Sequence, residues 1–279
     1  MTATLVPGLC GLPPKGHLLL ITDELSSPAD FILHRALALY LKHPHNPAHH
    51  VLLVSFVSEF AHWQAIASKS NLNLIQNLSA GSLTYIDALS ISAYPSTAHD
   101  PHTSQPGYIT CPPLFTTKPP SLKILYNLIA QSISHSRTTE LLIFDDISLL
   151  ELIGIPPTSL SQFIRALRAL CHRHNIPLLL RAHITPSSSP SFPFDSPLLK
   201  TLLTTTHTHI EVRPLASGRS GAVSGEIALH IGPEGLACPF PPSDDIANNA
   251  GMGRKASVQY RLNDGGAVFF QKGMGAGVL

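Results

Sequence analysis

The stretch 17–41, HLLLITDELSSPADFILHRALALYL, sets an apolar run, a seven-residue polar loop and a long apolar segment in direct succession. Strand, loop, helix is the unit from which parallel sheets are wound, and its loop is where nucleotide-binding α/β proteins hold phosphate. A working phosphate loop reads GxxxxGK[ST]. Its glycines let backbone N–H groups curl round the phosphates, its lysine reaches the outer ones and its hydroxyl takes magnesium. Here the loop is Thr22-Asp23-Glu24-Leu25-Ser26-Ser27-Pro28, without glycine or lysine. Two like charges about 4 Å apart repel by about 4 kcal/mol at an effective dielectric near 20. Each missing charge-assisted hydrogen bond forgoes about 1.5–3 kcal/mol more. Asp23 and Glu24 therefore reject a triphosphate, and Pro28 removes an N–H. The loop reads instead as a helix start, with Ser27 as N-cap, Pro28 at the first helical position and Asp30 complementing the dipole. Phe31, Ile32, Leu37, Leu39 and Leu41 surround that helix, which predicts a sandwiched position.

The alternation continues. Apolar strands are expected at 51–57, 82–89, 141–146 and 176–183, with helices near 59–69 and 121–135. A further helix is opened by a Ser159/Gln162 capping box and carries one stripe of Leu160, Phe163, Ile164, Leu167, Leu170 and Cys171, with Arg165, Arg168 and Arg173 opposite. After residue 200 the pattern changes to paired strands. Segments 208–215 and 225–232 flank a Gly/Ser loop, and 258–262 and 267–273 flank Asp264-Gly265-Gly266, a hairpin signal. Parallel units followed by antiparallel strands at one edge point to a RecA-like α/β fold of the P-loop NTPase class without the phosphate loop. A dinucleotide-binding α/β fold competes structurally, but no GxGxxG follows the first strand.

The 279 residues are read as an N-terminal tail, 1–16, and a single domain, 17–279. Seven of the 25 prolines fall in 90–120, a weakly patterned surface insertion. Loops 183–197 and 233–255 are similar in kind. A net charge of +1 with 13% charged residues argues against a free-standing basic nucleic-acid binder, though not against a surface shared between subunits. Cys10, Cys111, Cys171 and Cys238 are too scattered for a metal site or disulfide framework, which suits a reduced compartment. No secretory signal or membrane span is expected.

The candidate sites are few. Asp145 and Asp146 end the apolar strand LLIFDD, where an active NTPase keeps its magnesium-positioning acid. Acids in that place also cap helices, and without a phosphate loop the capping reading is preferred. Of the 16 histidines, HPHNPAHH (43–50) reads as a solvated loop, and CHRH (171–174) points Cys171 inward and His172 and His174 elsewhere. His207 and His209 share a strand face with no third ligand evident. No catalytic constellation, metal site or cofactor site is expected. Arg213 and Arg219 bracket a loop loosened by Gly218 and Gly221. That loop is either a nucleic-acid backbone contact or a solvated hairpin.

Taken together, LLLITDELSSPADFILHRALALYLK in place of a phosphate loop, LLIFDDISLLELIG at the acidic strand, and the ending VQYRLNDGGAVFFQKGMGAGVL resemble the family of the sixth Elongator subunit. Within that ending the matches are Phe269-Phe270, then Lys272-Gly273-Met274, then Val278-Leu279. The resemblance covers nearly all of 17–279, and the proline-rich insertion and the 233–255 loop depart from it. It implies a non-catalytic subunit that forms a ring with Elongator subunits four and five, two copies each. It also implies attachment of that ring to the Elongator core, tRNA binding through the ring in support of wobble-uridine modification, and residence in cytoplasm and nucleus. Physical reasoning keeps one alternative open, an independent RecA-type nucleoside triphosphatase in which Asp145 or Asp146 holds magnesium.

Overall fold

The computed structural model describes residues 13–42, 50–88, 105–113, 120–135, 139–185, 196–218, 223–236, 257–263 and 266–271. Its first half runs β1 (Leu18–Asp23), α1 (Asp30–Leu41), β2 (His50–Ser55), α2 (Phe60–Lys69), α3 (Leu74–Ala80), β3 (Leu83–Asp87), β4 (Tyr108–Thr110) and α4 (Lys123–His135). There follow β5 (Thr139–Asp145), α5 (Ser148–Leu152), α6 (Pro157–His174), β6 (Leu178–His183) and α7 (Pro197–Thr205). The last part is β7 (Thr208–Arg213), β8 (Gly225–Ile231), α8 (Pro233–Leu236), β9 (Val258–Asn263) and β10 (Gly266–Gln271).

The described strands make one sheet in the order β10-β9-β8-β7-β1-β6-β5-β2-β3-β4. β1 is parallel to both β6 and β7, β5 to β6 and β2, and β3 to β2 and β4. β7 to β10 pair antiparallel. The mostly parallel sheet with an antiparallel edge is the RecA-like arrangement expected.

Both faces of the sheet are covered, so β1 and β2 are buried at every residue. Side-chain alternation divides them between two cores. Leu18, Leu20, Leu142, Phe144, Leu178 and Leu180 pack with α4, α6 and α7. Leu19, Ile21, Leu141, Ile143 and Leu179 pack with α1, α2 and α3. The α6 stripe is as expected, with all six named residues buried.

Several local expectations are corrected. α1 begins at Asp30 with Ala29 as N-cap and no side-chain cap, so Ser27 does not cap and Pro28 stands outside the helix. Ser27 is instead 2.7 Å from the Tyr260 hydroxyl, Oγ to Oη. α1 is one-sided, burying Ile32, Leu33, Ala36 and Leu37 while Leu39 is 40% exposed. α6 starts at Pro157, ahead of the Ser159/Gln162 box, because a proline at the first turn forfeits no hydrogen bond. His50 is no loop residue: it opens β2, buried, between Thr139 and Thr84. The 90–120 segment supplies β4, paired to β3. His183 ends β6, Pro197 begins α7, and α8 occupies 233–236 of the expected third loop. Residues 43–49, 90–104, 114–119, 186–195 and 237–256 lie outside the described residues, as do Arg219, Gly221, Lys272-Gly273-Met274 and Val278-Leu279.

A closed phosphate position at the end of the parallel sheet

Where β1, β6 and β5 lie side by side, the residue series facing α1 changes from apolar to charged at the strands' C-terminal ends. Ile21 leads to Asp23, Leu179 to Arg181 and Ile143 to Asp145. Arg181 stands on the middle strand of the three and is 8% exposed. Its Nε and Nη2 donate to Asp23 Oδ2 at 3.0 and 2.8 Å. Its Nη1 donates to Asp145 Oδ1 at 2.7 Å and to Asp30 Oδ1 at 2.5 Å. One planar guanidinium thus joins the ends of β1 and β5 to the first residue of α1, a task for a fork of five donors rather than a lysine point charge.

Asp23 also accepts from the Ala29 N–H at 2.7 Å, through Oδ2, and its Oδ1 lies 3.2 Å from His183 Nδ1. The Ala29 N–H belongs to a helix N-terminus, the kind of donor that in a phosphate-binding domain points at the ligand. In this chain a carboxylate of β1 takes that bond. The Asp23 side chain serves the role expected of Ser27, and Arg181 supplies the cation that the loop lacks. Sequence reading named Asp23 and Asp30 but missed Arg181. The available signal was a single arginine in the buried run IPLLLRAH, where an unpaired charge would be prohibitive.

The two acids of LLIFDD separate in role. Asp146 accepts from the Ser148 N–H at 2.8 Å and the Ser148 hydroxyl at 2.7 Å, and from the His183 N–H at 3.2 Å. It therefore holds the start of α5 against the end of β6, the capping role preferred above. Burial pushes its carboxyl up, and the Ser148 hydrogen bonds pull against that. Asp145 faces Arg181 with one oxygen, while Oδ2 is buried without a hydrogen-bond partner. Burial, aided by the neighbouring Asp30 and Asp146 charges, pushes the Asp145 carboxyl up to about 6 against the pull of Arg181. Burial alone would lower Arg181; the carboxylates of Asp145, Asp23 and Asp30 reverse this and hold it firmly protonated. A magnesium–triphosphate entering here would have to displace these bonds from inside the fold.

Elsewhere, Arg213 ends β7 and its Nη2 is 3.2 Å from Glu226 Oε2 on β8. His207 stacks on His17 with centroids 4.3 Å apart and accepts the Leu18 N–H through Nδ1 at 3.1 Å. His209 lies beside Thr22, Nε2 to Oγ1 2.8 Å. Among the described residues no three His, Cys, Asp or Glu side chains are grouped to hold a metal ion. No described helix is long and apolar enough to cross a membrane.

Sheet order and closed phosphate position together define a RecA-like domain whose nucleotide pocket is occupied by its own side chains. A KaiC-like protein from the archaeon Pyrococcus horikoshii shares the fold, with a TM-score of 0.57 over 95% of this chain and 96% of that one, at 9% identity. The family model for Elongation complex protein 6 matches residues 11–235, and the chain belongs to that family. It is similar along its length to Elongator complex protein 6 of Xenopus tropicalis, 24% identical over 271 residues, 95% of this chain and 94% of the relative. The Mus musculus protein of that name is 23% identical over 274 residues, 95% and 94% of the two chains.

Proposed function

We propose that this chain is a non-catalytic subunit of the Elongator complex. In this reading it builds, with subunits four and five, a ring of RecA-like domains, two copies of each. The ring attaches to the Elongator core, binds tRNA and supports modification of the wobble uridine. The observation that carries the non-catalytic part is the Arg181 guanidinium bound to Asp23, Asp30 and Asp145 where a nucleotide would bring its phosphates. Family membership and full-length similarity to the named relatives support the assembly part. The loop from Arg213 to Arg219 remains our candidate for contact with the tRNA backbone, where arginines position a strand without reading it. Cytoplasm and nucleus are the compartments this role requires.

Co-purification with the two sister subunits, followed by the mass of the particle, tests the assembly. A monodisperse monomer that ignores them defeats it. ATP turnover by the isolated chain, with Asp145→Ala and Asp146→Ala as controls, tests the catalytic alternative, and turnover lost in either variant would establish that alternative instead.

A further inference from the structure

On the sheet face opposite α1, His209 and His230 are cross-strand partners on β7 and β8. Their rings stack with centroids 5.3 Å apart and planes 24° from parallel. The pair is fixed from both sides: Thr22 Oγ1 is 2.8 Å from His209 Nε2, and His230 Nε2 is 3.1 Å from Glu211 Oε2. Above this floor is a cavity of about 160 Å³ whose apolar walls include Ile184 and Leu203. A cavity of roughly 150 Å³ holds one benzene ring. Glu211 is 6% exposed, and a carboxylate accepts up to about four hydrogen bonds, so one to His230 does not exhaust it. Two residues along β7, about 7 Å further on and on the same face, stands Arg213. An imidazole floor, apolar walls, a carboxylate at the edge and a guanidinium one step away describe a receptor for a flat heterocycle with an amino edge and an attached phosphate.

We propose that the His209–His230 pocket takes an unstacked base of single-stranded RNA, cytosine in preference to uracil, with Arg213 on the adjoining phosphate. Splayed bases are held by stacking on aromatic or histidine rings and by hydrogen bonds to their edges. The cytosine amino group donates to a carboxylate, whereas uracil presents a carbonyl oxygen that Glu211 repels. The proposal rests on the tRNA-binding reading above and gives the 213–219 backbone contact a base-reading neighbour.

The test is fluorescence anisotropy of the full chain with short labelled oligocytidine and oligouridine, with free cytidine as competitor. Oligocytidine is expected to bind about tenfold more tightly than oligouridine. Leu203→Trp, which fills the cavity, is expected to weaken oligocytidine by a similar factor, and Glu211→Gln to abolish the preference between the two. The preference within the wild-type chain keeps the proposal falsifiable even if both variants misfold. No binding by the wild-type chain, equal binding of both RNAs, or indifference of folded variants overturns it. Cytidine competing as strongly as the oligonucleotide assigns the pocket to free nucleosides and overturns it too. A ring assembled with the sister subunits that binds tRNA regardless of both substitutions removes the pocket and leaves the subunit reading intact. A ring that binds no tRNA removes the reading itself.

Discussion

Arg181 Nη1 and Asp145 Oδ1, on neighbouring strands, are 2.7 Å apart, and with Asp23 on the other flank they tie three parallel strands together at their C-terminal ends. In a nucleotide-binding relative of this fold that space belongs to ligand and metal. The same backbone architecture is here completed from within, and each consequence below can be measured.

Removing the cation should be severe. Arg181→Ala leaves Asp23 and Asp145 buried without compensation, which costs about 3–5 kcal/mol for a broken buried pair. Arg181→Lys is expected to recover only part of it, because one ammonium cannot reproduce the donors now shared by three carboxylates. Urea unfolding of the three proteins checks both statements, and a Lys variant as stable as wild type would refute the geometric one.

Stability should rise with pH between about 4 and 6.5, against the trend that Asp145 alone sets. Asp145 has its folded value raised to about 6 by burial, so its contribution is present at low pH and is lost as pH climbs through that window. His34 and His50 are both lowered to about 4, chiefly by burial. Their contribution has the opposite sign: present above about 6.5, the unperturbed value, and lost as pH falls. Two histidines outweigh one aspartate. Asp145→Asn removes the opposing contribution and should steepen the rise. Unfolding midpoints measured from pH 4 to 7 decide it; a shallower curve in the variant is the contrary result.

Packing beneath the loop that replaces the phosphate loop should tolerate no added atom. A Cβ on Gly225 would lie 2.6 Å from Ser27 Oγ and 2.7 Å from the Arg213 carbonyl oxygen. Backbone cannot yield cheaply, so Gly225→Ala should cost about 1–3 kcal/mol. Tyr260→Phe, which only unmakes the Ser27 bond, should cost about 1 kcal/mol. Thermal melts of both variants would give the ordering, and the reverse order would show that the hydroxyl pair matters more than the contact.

Magnesium-ATP should leave the melting temperature of the isolated chain unchanged at concentrations that saturate ordinary NTPases. A ligand that binds the native state must raise it by mass action. A concentration-dependent increase would reveal a nucleotide site that the Arg181 cluster does not block.

Much of this was legible in the residues. Buried apolar runs announced β1, β2, β5 and β6, the α6 stripe was read correctly, and the acid-rich loop announced the loss of the phosphate site. What escaped were features fixed by tertiary contact. β4 has three residues and exists because Asp87 and its neighbours offer an edge to pair with. α7 was legible but passed over: Ser196 accepts from the Leu199 N–H and Pro197 opens the helix. The capping of α1 by Asp23 spans six residues and bridges a strand end, outside the local patterns by which caps are recognised. Arg181 meets Asp23 and Asp145 only once the strands are ordered in the sheet.

A bound nucleotide comes and goes with its supply, and a domain that relies on one changes its rigidity accordingly. Arg181 is tethered to its acceptors by the peptide chain, so its local concentration at the site does not depend on metabolism. This end of the molecule is therefore a fixed strut, with the same shape in a starved cell as in a fed one.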